Sequence, residues 1–199
     1  SNMCNMSCRS CSPTFSTAWY DDFVKEFGSV TSDVADQKFM QLKNKSGFLE
    51  ELRPYLDTVE EVYWAGGEPL VIDMHWKIMN YWVEIGHAEN VSILYTTNFS
   101  QLTYKKQHVF DLWKKFKSVK VSASLDAMGP HAEFIRKGTK WQDIEDNRNA
   151  MLQELPNFEF DICPTVSLMN VMHLPDFIED IAFRYDASSF SNCFFNFLA

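Results

Sequence analysis

Apolar runs and amphipathic stretches alternate along almost the whole chain. Short runs rich in β-branched and aromatic residues predict strands, and longer stretches with apolar residues three or four positions apart predict helices. The predicted strands are 59–64, 91–96, 119–125, 158–168 and 194–198, and the predicted helices are 14–27, 36–56, 72–86, 103–116, 141–155 and 173–185. Strands that alternate with helices of this length favour βαβ units and an α/β fold with a parallel sheet.

The third predicted strand has two different faces. Lys120, Ser122 and Ser124 alternate with valine, alanine and leucine, and Asp126 follows them. A small polar face is unusual for a buried parallel strand unless it lines a pocket. The alternative is an edge strand whose polar residues face water.

A short loop at the start of the sequence contains three cysteines, Cys4, Cys8 and Cys11, in the spacing C-x3-C-x2-C. Thiolates select zinc, copper(I) or an iron–sulfur cluster. Closed zinc and iron–sulfur sites use four protein ligands, whereas this loop supplies three. Three ligands to a four-iron cluster would leave one iron open to an outside molecule. A zinc site with a distant fourth ligand is the alternative.

A second motif, Gly66-Gly67-Glu68-Pro69, follows the predicted strand 59–64. Glycines let the backbone approach a ligand closely, and proline suits the first turn of a helix. A plain strand-to-helix turn is the alternative reading of this motif alone. The cysteine loop and this motif, in this order and about one βα unit apart, resemble the cluster loop and the "GGE" motif of the radical S-adenosylmethionine (SAM) enzymes.

The resemblance implies a partial (β/α)6 TIM-like barrel with parallel strands. It implies a [4Fe–4S] cluster on Cys4, Cys8 and Cys11, and SAM bound to the open iron and cleaved to a 5′-deoxyadenosyl radical. It further implies that the SAM site is lined by Gly66, Gly67, Glu68, Pro69, Thr97, Asn98, Ser124 and Arg136. Asn98 is equally typical of a turn or helix cap, and Arg136 of a solvated loop charge.

Composition narrows the class of protein. The chain has 199 residues, 46% of them hydrophobic, which favours one domain spanning 1–199. A net charge of -9 argues against nonspecific nucleic-acid binding. The sequence shows no apolar run of membrane-spanning length and no secretory signal. Clustered cysteines favour a reducing compartment, so we expect a cytoplasmic protein.

Both ends of the sequence suggest a fragment of a longer chain. Only residues 1–3 precede the cysteine loop, so the first barrel strand is expected to be missing, and the chain stops on the predicted strand 194–198. The sequence looks most like family members with a C-terminal "twitch" or SPASM-type cluster domain, although that extension is missing from it. The resemblance implies an electron donor such as flavodoxin or ferredoxin, and leaves a peptide, a nucleotide or a small metabolite open as substrate. A non-catalytic zinc-binding interaction domain is the rival function.

Overall fold

The computed structural model describes residues 2–28 and 47–184. The predicted strand 194–198, the first part of the predicted helix 36–56 and the last residue of the predicted helix 173–185 lie outside these ranges. The strands are β1 (Ser7–Cys8), β2 (Glu61–Trp64), β3 (Ser92–Thr97), β4 (Thr103–Tyr104), β5 (Gln107–His108), β6 (Ser118–Ala123), β7 (Arg136–Lys137) and β8 (Glu159–Ile162).

Helices connect most of these strands. They are α1 (Tyr20–Phe27), α2 (Phe48–Leu56), α3 (Asp73–Glu84), α4 (Val109–Trp113), α5 (Gly129–Ile135), α6 (Trp141–Glu154) and α7 (Leu174–Arg184). Short 3-10 turns occupy Thr17–Trp19, Pro69–Val71 and Ala88–Asn90. Within the described ranges, no helix combines the length and the apolar character that crossing a bilayer requires.

The central sheet has four parallel strands in the order β2-β3-β6-β8, which is also their order in the chain. This confirms the predicted α/β class and parallel sheet. β6 pairs on both sides, with β3 and with β8, so the edge-strand alternative for this segment is wrong. Because parallel strands point the same way, the residues that follow all four strands meet at one edge of the sheet.

The two faces of the sheet differ as the alternation in β6 predicts. One face carries buried apolar residues such as Tyr95, Val121 and Phe160, which join a single core with the apolar sides of the helices. On the other face Lys120 lies 2.8 Å from the buried carboxylate of Asp161. Apolar burial under the helices therefore fixes the register of the strands, and the polar residues turn to the opposite face.

The predicted helix 103–116 is wrong in its first half. Residues 103–108 form an antiparallel hairpin, β4–β5, and only Val109–Trp113 is α-helical. The two turn residues, Lys105 and Lys106, have φ of 46° and 69°. Positive φ at both positions is the type I′ geometry that matches strand twist. The usual sequence signal for this turn is Asn-Gly, and this chain has two lysines at these positions instead.

Two smaller differences lie near the carboxyl edge of the sheet. β8 ends at Ile162, earlier than the predicted 158–168, because Pro164 cannot donate a ladder hydrogen bond. The sequence analysis also missed α5, a short helix that starts at Gly129 with Pro130 in its first turn. This helix leads directly into β7, which pairs with the cysteine loop.

Candidate functional site

The cysteine loop folds back on itself through backbone hydrogen bonds. Cys11 N donates to Cys8 O at 3.0 Å, and Trp19 Nε1 donates to the same carbonyl at 3.0 Å. Ser16 Oγ donates to Met6 O at 2.6 Å. These bonds close the segment that contains the three cysteines into a compact turn.

The first seat of the loop is the glycine pair after β2. Glu68 N donates to Met3 O at 2.7 Å, so the chain just before Cys4 is bonded to the Gly-Gly-Glu motif. Gly67 has φ of 60°, and a Cβ there would stand 2.2 Å from Met3 O. Any side chain at this position would therefore push the loop away, which is the physical reason for glycine.

The second seat is β7 and the turn after it. β1 pairs antiparallel with β7, with Cys8 opposite Arg136. Arg9 N donates to Ile135 O at 2.7 Å. Gly138 has φ of 108°, and a Cβ there would lie 3.3 Å from Asn5 O. The loop is thus held between two glycine contacts from distant parts of the chain.

Glu68 organises the carboxyl edge of the sheet. Its carboxylate is 1% exposed and accepts hydrogen bonds from Leu70 N at 3.1 Å, Thr97 Oγ1 at 2.7 Å and Asn98 N at 2.7 Å. Burial raises the pKa of Glu68, and these three donors oppose the rise. Pro69, also buried, starts the 3-10 turn that Glu68 caps. Most of the hydrogen-bonding capacity of this carboxylate is therefore used to connect the turn after β2 to the end of β3.

Asn98 connects the end of β3 to the cysteine loop. Its Nδ2 donates to Asn5 Oδ1 at 2.8 Å and lies 4.0 Å from Cys4 Sγ. Its Oδ1 accepts from Ser100 N at 3.0 Å, and Asn5 Nδ2 donates to Ser100 Oγ at 3.0 Å. The turn role and the site role that were open for Asn98 are thus combined in one side chain.

Arg136 and Ser124 complete the set that the sequence analysis named. Arg136 Nη2 donates to Asp126 Oδ1 at 2.9 Å, and Arg136 Nε lies 2.8 Å from Asp126 Oδ2. The arginine is largely buried, so the alternative of a solvated loop charge is wrong. Ser124 follows β6, and its N donates to Thr97 O at 2.8 Å. The structure therefore brings Gly67, Glu68, Asn98 and Arg136 to the cysteine loop by direct bonds, contacts or pairing, and it connects Thr97 to the loop through Glu68.

The electrostatics of the thiols follow from their burial. Burial raises the pKa of Cys8 to about 11 and also raises the pKa values of Cys4 and Cys11. Arg136 opposes the rise at Cys8, and Asp126 adds to it with a smaller effect. In this conformation the thiols are protonated at neutral pH, so a metal that binds them must displace protons.

The three thiols are not arranged as a binding site for a single metal ion. In residues 2–28 and 47–184, no group of three or more His, Cys, Asp or Glu side chains is arranged to hold a metal ion. A zinc ion draws its thiolates into one tetrahedron with Zn–S of ~2.3 Å. Each thiolate of a four-iron cluster binds a different iron. Three cysteines in one loop match the ligand type of such a cluster, and Cys4, Cys8 and Cys11 are the residues that would hold it.

Two residues of the site were missed at the sequence level. Asn5 links the loop to Asn98 and Ser100, and Gly138 leaves room for the loop at the second seat. The sequence feature that could have pointed to Asn5 is its position between Cys4 and Cys8. The signal for Gly138 was a glycine next to Arg136, but only the fold shows which backbone it faces.

The chain was compared with known proteins. No model of a known family matches the sequence, and no curated protein matches it either.

Proposed function

We propose that this chain is the core of a radical SAM enzyme. Cys4, Cys8 and Cys11 would hold a [4Fe–4S] cluster, and SAM would bind beside it. When both are bound, they supply reductive cleavage of SAM to a 5′-deoxyadenosyl radical, which abstracts hydrogen from a substrate. The observation that carries the proposal is the 2.7 Å bond from Glu68 N to Met3 O. Through it the two motifs of the resemblance, which are far apart in sequence, meet at one edge of the sheet.

The chain's own residues support this function in distinct ways. Gly66 and Gly67, with φ of 82° and 60°, let the backbone of this turn approach the loop closely, and the carbonyls of the turn would accept hydrogen bonds from the cationic amino group of SAM. Glu68 fixes this turn to Thr97 and Asn98. Ser124 lies at the same edge, bonded through its backbone to Thr97. These groups would orient SAM and keep water from it.

The sheet supports a partial (β/α)6 barrel for this proposal. Its strand order follows the chain, whereas a doubly wound sheet reverses its order at a switch point. Its polar face, with Lys120, Ser122 and Asp161, would then turn to the barrel interior. A lumen of this kind accepts a peptide, a nucleotide or a small metabolite. A flavodoxin or ferredoxin in the cytoplasm would supply the electron.

The test is anaerobic reconstitution with iron and sulfide, followed by metal analysis and an assay for 5′-deoxyadenosine under dithionite. We expect about four irons per chain and SAM-dependent product in the wild-type protein. Cys8→Ala should lose both iron and product, because one of three ligands is gone. Cys163→Ser is the matched control, since Cys163 lies after β8 and outside the loop, and it should keep both.

The alternative outcomes separate the rival functions. Zinc in place of iron, in protein with an unchanged far-UV spectrum, would replace the proposal with the zinc-binding interaction domain. Iron bound with no cleavage of SAM would contradict the enzymatic part. Equal loss in Cys8→Ala and Cys163→Ser would show that the loop is not the specific ligand set.

A further inference from the structure

The starting point is the pairing of Arg136 with the cysteine loop. In the antiparallel β1–β7 ribbon, Cys8 stands directly opposite Arg136. Residues directly opposite in such a ribbon project from the same face, with Cβ atoms about 4.5–5.5 Å apart. The guanidinium, largely buried, is thus fixed on the side of the ribbon that carries the central cysteine.

Asp126 pairs with this guanidinium. Arg136 Nη2 donates to Asp126 Oδ1 at 2.9 Å, and Nε lies 2.8 Å from Oδ2 in an ion-pair contact without hydrogen-bond geometry. The carboxylate is 1% exposed and accepts a second hydrogen bond from Thr165 N at 2.8 Å. A charge-assisted hydrogen bond and a close ion-pair contact together restrain the guanidinium. The arginine is therefore held next to Asp126 and is already paired.

We propose that the Arg136–Asp126 pair is a fixed dipole whose positive end faces the cysteine loop and which sets the reduction potential of the cluster. The inference rests on the proposed function. Reduction adds one negative charge to the cluster, and a buried cation nearby stabilises that charge. Arg136 is here a positioning residue for charge, and not the ligand of the SAM carboxylate that the resemblance implies.

The test is a redox titration of reconstituted protein in the absence of SAM, with the reduced cluster followed by electron paramagnetic resonance. Arg136→Gln removes the positive end and leaves Asp126 buried, so the potential should become more negative. Asp126→Asn removes the negative end and keeps an acceptor for Thr165 N, so the potential should become more positive. We expect about a tenfold change in the reduction equilibrium in each direction, which is about 59 mV for one electron.

The opposite signs distinguish this role from a structural one. If the pair only held the loop in place, both variants would shift the potential the same way and would lose iron together. Arg136→Lys keeps the charge without the guanidinium and should stay close to the wild-type potential. It also keeps the inference testable, together with Asp126→Asn, if Arg136→Gln does not fold.

A SAM-binding measurement on the same variants tests the competing role. If Arg136→Gln weakens SAM binding and leaves the SAM-free potential unchanged, the arginine contacts the SAM carboxylate and the inference is overturned. A wild-type protein that assembles no cluster would overturn the proposed function itself. A wild-type cluster with no shift in any variant would overturn only the dipole.

Discussion

Two turns of this protein share positive φ at two consecutive positions but differ in the residues that they require. Gly66-Gly67, after β2, and Lys105-Lys106, between β4 and β5, both take positive φ at two consecutive positions. At Gly67 the backbone of Met3 fills the space where a Cβ would stand. In the hairpin, lysines occupy the same kind of geometry. Close backbone contact, and not positive φ alone, therefore makes glycine necessary at the candidate site.

The two turns are also anchored differently. The glycine turn is held by a backbone bond, Glu68 N to Met3 O at 2.7 Å. The lysine turn is held by a side chain, because Lys105 Nζ lies 2.5 Å from Asp73 Oδ1, and Lys77 binds the same carboxylate at 2.9 Å. A backbone anchor does not titrate, whereas an ionic anchor depends on pH. Substitution should therefore disturb the glycine turn more than the lysine turn, and acid should disturb the lysine turn more than the glycine turn.

The largest effect is expected from Gly67→Ala. The Cβ would force the loop off the turn, with loss of a bond worth about 1 kcal/mol and left-handed strain of about 1–2 kcal/mol. We expect loss of most iron uptake and fast hydrogen exchange at the Glu68 amide, with little change in far-UV circular dichroism. Full iron uptake with a slow Glu68 amide would mean that the contact with Met3 is not needed.

Gly138→Ala should have a smaller effect at the second seat. Its Cβ would meet Asn5 O at 3.3 Å, which a small shift of the loop relieves, in addition to the strain of φ at 108°. The matched control is Gly86→Ala, which has φ of 72° and no atom within 4 Å of the added Cβ. Both should lower the free energy of unfolding by about 1–2 kcal/mol, as measured in urea.

Of these two variants, only Gly138→Ala should also reduce iron uptake, because Gly138, unlike Gly86, contacts the cysteine loop. An equal loss of iron in Gly86→Ala would assign the effect to general instability.

Lys106→Asn, unlike the glycine substitutions, should raise the free energy of unfolding. Asparagine takes left-handed φ more readily than lysine, so the hairpin should gain about 0.5 kcal/mol in the free energy of unfolding. Lys106→Ala removes the charge and keeps the strain, and it should stay within about 0.5 kcal/mol of the wild type. Iron uptake should be the same in all three proteins. A loss of iron in either variant would tie the hairpin to the site and break the comparison.

The smallest effect is expected from acid on the lysine turn. Hydrogen bonds from Lys105 and Lys77 lower the pKa of Asp73 to about 2. A lowered carboxyl pKa stabilises the folded hairpin above the ordinary pKa of 3.8, and this contribution is lost as pH falls from there toward about 2. Asp73→Asn should remove this pH dependence. Amide exchange at Lys105 and Lys106, followed between pH 5 and pH 2 and corrected for intrinsic exchange rates, measures it.

The elements that the sequence predicted well are those with a strong local period. The predicted helix 141–155 is observed as Trp141–Glu154, and the predicted strand 91–96 as Ser92–Thr97. Their apolar residues repeat with the period of the element because one face is buried under a neighbour. The β4–β5 hairpin was missed because its turn has lysines where the usual signal is Asn-Gly.

The candidate site was predicted as a set of residues and not as a set of contacts. The motifs named Glu68, Asn98 and Arg136, but their partners are set by the tertiary fold. No local pattern shows that Glu68 accepts from Asn98 N, or that Arg136 is paired with Asp126. The contact of Glu68 with Asn98 joins residues 30 positions apart and forms only when neighbouring βαβ units have packed side by side, whereas the contact of Arg136 with Asp126 spans ten positions across α5.

The seat at β7 has a consequence for the order of events during synthesis. Thr139 Oγ1 donates to the sulfur of Met6, which lies 133 positions earlier in the chain. At about 5–20 residues per second, a ribosome needs roughly 10 s to make that interval. Throughout this time the nascent cysteine segment lacks its second support. Insertion of the proposed cluster would then wait for the later strands, or would rely on a carrier that shields the thiols until those strands emerge.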